Sequence, residues 1–178
     1  KNHKRIIFNG NGYDDSWIEE AKKRGLLNLK TTPDALPYFK TEENIELFER
    51  QKVLSKEEVE SRYEILMDEY EKEINIEALT MLDIAKKDIL PAASKFSREL
   101  TDTIVNKKAI GIDLTYELET AKKVSEALTE AYQAMVTLEK DVEKLHAIDD
   151  VEKSAFYVRD FIIQDMAALR KPCDELEV

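Results

Sequence analysis

A chain of 178 residues with only 4 glycines and 4 prolines has too few turn residues for an all-β sandwich or barrel, and reads as mainly α. Its 27 basic residues against 38 acidic ones leave a net charge of -11, which argues against a nucleic-acid partner. No apolar run approaches the ~18 residues of a membrane-spanning helix, while 43% hydrophobic content is enough to bury a core.

The acidity is uneven. Residues 1–55 hold 10 basic and 9 acidic residues, and 56–178 hold 17 and 29. Gly10, Gly12, Gly25, Pro33 and Pro37 also fall in the first part. The pattern predicts a turn-rich, near-neutral head over 1–55 and a long-helix bundle over 56–178, the two together forming one structural domain. The chain opens Lys1-Asn2 without a signal-peptide pattern and reads as a piece of a longer protein. Its single cysteine, Cys173, cannot form an internal disulfide and fits a reducing cytoplasm.

In the head, Arg5-Ile6-Ile7-Phe8 predicts a strand or extended segment stopped by a tight turn at Asn9-Gly10-Asn11-Gly12. Asp14, Asp15 and Ser16 are N-cap candidates for a helix through Trp17, Ile18, Ala21 and Lys22. Lys22-Lys23-Arg24 places positive charge at its C-terminal end, before Gly25. Thr31 to Phe39, with two prolines, reads as a loop with at most one helical turn. A short helix follows over about 41–50, burying Ile45, Leu47 and Phe48.

Ser55-Lys56-Glu57-Glu58 is a capping box announcing a long helix over about 56–108. Apolar or aromatic residues recur at 59, 63, 66, 70, 74, 78, 82, 85, 89, 93, 96, 100 and 104, steps of three and four that hold one helical face. Pro91 predicts a kink or break near Asp88 to Leu90. After a turn around Gly111, with Asp113 as the expected cap, a helix over 113–147 carries a heptad seam. Leu114, Ala121, Leu128, Met135 and Val142 alternate in it with Val124, Ala131, Leu138 and Leu145, interrupted by Glu117. Asp149 and Asp150 cap a final helix over 150–171, with the stripe Val151, Ala155, Val158, Ile162, Met166 and Leu169, ending or bending at Pro172. Three such stripes joined by short turns predict an antiparallel helical bundle or long helical hairpin.

Candidate chemistry is sparse. His3 and His146 are the only histidines, and neither has local support as a partner for a Cys173 thiolate. Glu143-Lys144-Leu145-His146 is half of a di-iron carboxylate site, but no second Glu-x-x-His occurs, so it reads as an exposed pair at a helix end. Gly10-Asn11-Gly12 lacks the third glycine of a dinucleotide fingerprint and the Gly-Lys-Ser/Thr of a nucleotide loop. Asp14-Asp15, Glu19-Glu20, Glu42-Glu43 and Asp149-Asp150 read as caps and first-turn residues, and Lys22-Lys23-Arg24 as a helix terminus. No catalytic, cofactor-binding or metal-ligating residue is assigned.

One resemblance goes further. Arg5-Ile6-Ile7-Phe8-Asn9-Gly10-Asn11-Gly12-Tyr13, with Trp17, Glu20-Ala21, Lys23-Arg24-Gly25-Leu26 and Thr31-Thr32-Pro33-Asp34-Ala35-Leu36, closely resembles the region downstream of the catalytic core in type III glutamine synthetases. The match recurs in Ser61-Arg62-Tyr63-Glu64-Ile65, Asn75-Ile76-Glu77-Ala78-Leu79-Thr80-Met81, Ala85-Lys86-Lys87 and Ile89-Leu90-Pro91-Ala92. It covers about 5–100 well, and 113–178 mainly in helical character. The resemblance implies a parent enzyme that joins ammonia to glutamate with ATP and Mg (or Mn), assembled as stacked homo-oligomeric rings. It also implies that the metal-binding glutamates and phosphate-binding arginines lie in an upstream catalytic domain of the same chain. No position here matches them, so the resemblance implies a non-catalytic C-terminal domain, structural or oligomer-supporting and without a cofactor of its own. A stand-alone coiled-coil module binding a partner helix explains the heptads but not the non-periodic head.

Overall fold

The computed structural model describes residues 4–177, Arg5 by its backbone alone. His3 therefore lies outside the described residues. The fold is mainly α, and no β-strand occurs among the described residues. Cα proximity divides the chain into two compact units, Lys1–Val59 and Glu60–Val178.

The first unit holds three short helices, α1 (Asp15–Lys23), α2 (Thr32–Phe39) and α3 (Glu42–Arg50). Of the strand or extended segment expected at Arg5 to Phe8, no strand forms: Lys4–Ile6 is a 3-10 turn, and Ile7 and Phe8 follow it outside any helix or strand. The Asp14 carboxylate caps α1 by accepting from Ser16 N at 2.8 Å. Gly25 ends it at φ 65, with Leu26 N donating to Ala21 O and Gly25 N to Lys22 O, the two bonds of a Schellman motif.

The loop expected at Thr31 to Phe39 proves to be two turns of helix. Thr31 caps it, and Pro33 falls in the first turn, where a missing N–H costs nothing. Pro37 removes a single ladder bond. In α3, Ile45 and Phe48 are half-buried, but Leu47 is exposed, contrary to expectation, because Phe48 takes the inward place against Phe39 at 5.5 Å between ring centroids. Helix α3 closes with the same Schellman bonds, yet its left-handed residue is Lys52 at φ 55.

The second unit is an antiparallel three-helix bundle. Its first rod is α4 (Lys56–Ile84), a π-helical turn (Ala85–Ile89) and α5 (Leu90–Ala109). The capping box forms as expected, Ser55 N donating to Glu58 Oε2 at 2.7 Å and Glu58 N to Ser55 Oγ at 3.3 Å. Ahead of Pro91 the ladder widens, and Leu90 N reaches back five residues to Ala85 O. The helix therefore passes the proline without breaking.

Helix α6 (Thr115–Leu145) returns along the rod, and α7 (Val151–Tyr157), a second π turn (Val158–Ile162) and α8 (Ile163–Leu176) run back along α6. Asp113 does not cap α6; Leu114 occupies the cap position and Asp113 accepts from the Thr115 hydroxyl instead. Asp150 does cap α7, accepting from Lys153 N at 2.8 Å. The final helix does not stop at Pro172 but runs to Leu176. Pro172 is buried beside Leu169 and Cys173, so packing offsets the lost ladder bond.

The core joins all three rods: Ala78, Leu82 and Ala85 meet Ala131, Met135, Leu138, Val142 and Leu145, with Val158, Ile162, Leu169 and Cys173 from the third. Two expected stripe positions miss it. Leu66 and Phe96 are exposed while Met67 is buried and Ser97 half-buried. The seam of α6 is graded as well. Leu114, Ala121, Val124 and Leu128 are half-buried, whereas Ala131, Met135, Leu138, Val142 and Leu145 are buried.

Candidate functional site

The Asn9 to Gly12 segment is held by its own neighbours. Phe8 packs on Trp17 with ring centroids 4.7 Å apart, and Arg24 lies 5.8 Å over the Phe8 ring while its Nη1 donates to Ile7 O at 2.6 Å. Arg24 Nε also reaches Glu20 at 2.5 Å. A Cβ at Gly10 would meet the Phe8 ring at 2.5 Å, so the glycine allows a close approach of ring and backbone. The Asn11 side chain accepts from Tyr13 N at 3.1 Å. These contacts form an aromatic and guanidinium clasp, and Arg24 is committed to it, leaving Lys22 and Lys23 exposed at the helix end.

The Glu143 and His146 pair does not converge, because His146 is taken by Asn75 of α4. His146 Nε2 lies 3.1 Å from the Asn75 side-chain nitrogen and 3.2 Å from its oxygen, so the two exchange one hydrogen bond according to how the amide faces. Glu143 is exposed. Among the described residues no group of three His, Cys, Asp or Glu side chains is arranged to hold a metal ion. Cys173 is buried, and burial pushes its thiol up, which makes it a poor nucleophile. Of the acidic pairs, Asp14-Asp15, Glu42-Glu43 and Asp149-Asp150 lie at helix starts, whereas Glu19-Glu20, expected there too, lies inside α1, where Glu20 pairs with Arg24. Asp14 and Asp150 cap, Asp15, Glu42 and Glu43 sit in first turns, and the Ser16 N–H holds the Asp14 carboxyl below the usual carboxylate range.

Two features escaped the sequence pattern. One is an apolar groove of about 490 Å³ between the first and third rods of the bundle, floored by Met81, Ala85, Ile89, Met166, Leu169 and Cys173. Glu77, Arg170, Asp174 and Glu177 stand on its rim. The other is a polar cluster where α6 meets the third rod. Asp141, 8% exposed, accepts from Lys144 Nζ at 2.5 Å and from the Tyr157 hydroxyl at 3.0 Å, both on Oδ1. Lys144 holds its carboxyl below the ordinary range. Asp165 faces it from α8 in the opposite state, pushed up to about 6 by burial and then by the Asp141 carboxylate. Neither carboxylate lies on an expected stripe, and the two are 24 positions apart in sequence, so no local spacing marks them as a pair.

The chain also has matches among known proteins. The glutamine synthetase C-terminal domain model matches residues 1–108. The chain belongs to this family. The domain is 41% identical over 177 residues to a glutamine synthetase of Butyrivibrio fibrisolvens and 33% identical over 184 residues to a type-3 glutamine synthetase of Dictyostelium discoideum. It is 24% identical over 179 residues to a glutamine synthetase of Bacteroides fragilis. Each alignment takes in 97–98% of this chain but only 25% of the relative. The chain thus spans about a quarter of the length of these relatives, and the likeness extends past residue 108 into α6, α7 and α8. Among the described residues no helix is long and apolar enough to cross a membrane.

Proposed function

We propose that the chain is the non-catalytic, oligomer-supporting C-terminal domain of a type III glutamine synthetase. In this reading the parent is a cytoplasmic enzyme that ligates ammonia to glutamate with ATP and Mg or Mn held by an upstream catalytic domain. The observation that carries it is the pairing of near-complete coverage of this chain with one-quarter coverage of each relative. Side chains support it, since Asp14 and Asp150 serve as helix caps and Glu139 and Glu117 as ion-pair partners, while ATP-dependent ligation requires carboxylates and phosphate donors that converge. Ile76 and Ile84, 64% and 46% exposed at the mouth of the apolar groove, are surface that a subunit contact would cover.

The test is made in the full-length parent. Deleting residues 56–178 is expected to shift the assembly to smaller species in sedimentation velocity, and the isolated domain is expected to form no glutamine from glutamate, ammonia and ATP. An unchanged sedimentation profile on deletion would refute the oligomer-supporting role. Glutamine formation by the isolated domain would refute the non-catalytic one.

A further inference from the structure

We propose that Asp141 and Asp165 form a proton-sharing latch between α6 and α8, closed when one proton lies between the two carboxyl groups and weakened when that proton is lost to solvent. The two carboxyls differ in their supply of hydrogen-bond donors. Asp141 Oδ1 already has two donors, Lys144 Nζ and the Tyr157 hydroxyl. Asp165 Oδ2 is buried and, among the described residues, receives none. An ionised carboxylate left there without a donor is costly, and a second ionised carboxylate facing it adds repulsion. A single proton answers both problems, because a neutral Asp165 carboxyl can donate to Asp141.

The surroundings leave this pair as the titrating element. From α6, Asp141 and Lys144 act on Asp165, and Lys144 is committed to Asp141. From α7, the Tyr157 hydroxyl donates to Asp141, and burial holds its own proton on. On the π turn between α7 and α8, Arg159 is closed on Asp160 at 2.7 Å. On the π turn of the first rod, Lys86 is paired with Glu139. Burial, and then the facing Asp141 carboxylate, push Asp165 up to about 6, within the range that ordinary buffers and cells traverse.

Placement gives the latch a consequence. Asp165 sits at the start of α8, and the next residues of that helix, Met166, Leu169, Arg170 and Cys173, form one wall of the apolar groove. A proton lost at the α6–α8 contact therefore loosens the wall of a cavity that opens on the other side of the same helix.

The sign follows from linkage. A carboxyl raised in the folded state binds protons that the unfolded chain does not, so its destabilising share is full above about 6 and vanishes as pH falls below the unfolded aspartate value. Two measurements on the complete chain test the latch. In a carboxyl carbon NMR titration of the unmodified protein, Asp165 is expected to show a midpoint well above an ordinary aspartate, falling in Asp141→Asn once the facing charge is gone. Asp165→Asn, neutral at every pH and still a donor, is expected to raise the folding equilibrium constant by about tenfold at pH 7.5, with no gain at pH 4. An ordinary Asp165 midpoint, or an Asp165→Asn effect equal at both pH values, would overturn the proposal. The NMR titration decides the matter even if a variant fails to fold.

Discussion

Truncating one leucine at three depths along α6 tests whether burial in the bundle is graded as the structure shows. Leu138 is fully buried in the three-rod core, Leu128 is half-buried farther toward the N-terminal end of α6, and Leu118 is 52% exposed. Leu→Ala removes three carbons, worth about 2.4 kcal/mol at about 0.8 per methylene, and a close-packed site adds a cavity term. Leu138→Ala should therefore cost roughly 3–4 kcal/mol. Leu128→Ala forfeits about half the transfer energy and leaves little cavity, so roughly 1–2 kcal/mol is expected. Leu118→Ala should change stability by no more than about 0.5 kcal/mol. Urea unfolding at pH 7, with the slope checked for constancy, reads these as a stepped fall in midpoint. Equal losses at 138 and 128 would show that the N-terminal end of α6 is covered as fully as the core, and a loss below about 1 kcal/mol at 138 would refute the core assignment.

Other positions give independent readings. Lys52, left-handed at φ 55 in a Schellman ending that Gly25 and Gly111 fill elsewhere, should gain about 1 kcal/mol on Lys52→Gly, measured as a higher thermal midpoint. Ser55→Ala should cost about 1 kcal/mol by removing the hydroxyl half of the capping box. Glu117, which interrupts the α6 seam, is 8% exposed and paired with Lys107, which holds its carboxyl below the ordinary glutamate range. Its stabilising share is thus present above the unfolded glutamate value and lost as pH falls through the lowered folded one, and Lys107→Ala should move its NMR titration midpoint upward. Pro91→Ala should shift the thermal midpoint by no more than about 1 kcal/mol's worth, because the π turn already accommodates the missing N–H.

The long rods were legible in the sequence because each buries one face over many turns, and such a face repeats at three and four residues whatever its partner. Even Glu117, an apparent fault in the heptads, marks a real inward position that Lys107 neutralises. What periodicity could not supply was the choice between neighbours. Leu66 and Met67 are both apolar, and only the packing of the other rods selects Met67. Phe96 lost its place in the same way, for Ala93 and Leu100 on either side of it stay buried while Ser97, its neighbour, is turned partly inward.

Prolines misled in the opposite direction. Pro33 sits where a helix needs no donor, and Pro172 is held in helix by burial, so a rule calibrated on isolated helices stopped both elements too soon. The head misled by its composition. Ile6-Ile7-Phe8 has strand propensity, but a strand requires a partner ladder, and here Arg24 takes the Ile7 carbonyl that such a ladder would have used. The same limit explains why the Asp141–Asp165 pair could not be read from the chain. Each aspartate alone looks like a solvated residue on an acidic helix, and only the antiparallel return of the third rod along α6 brings the two carboxyls to one contact, where a single charge is easier to hold than two.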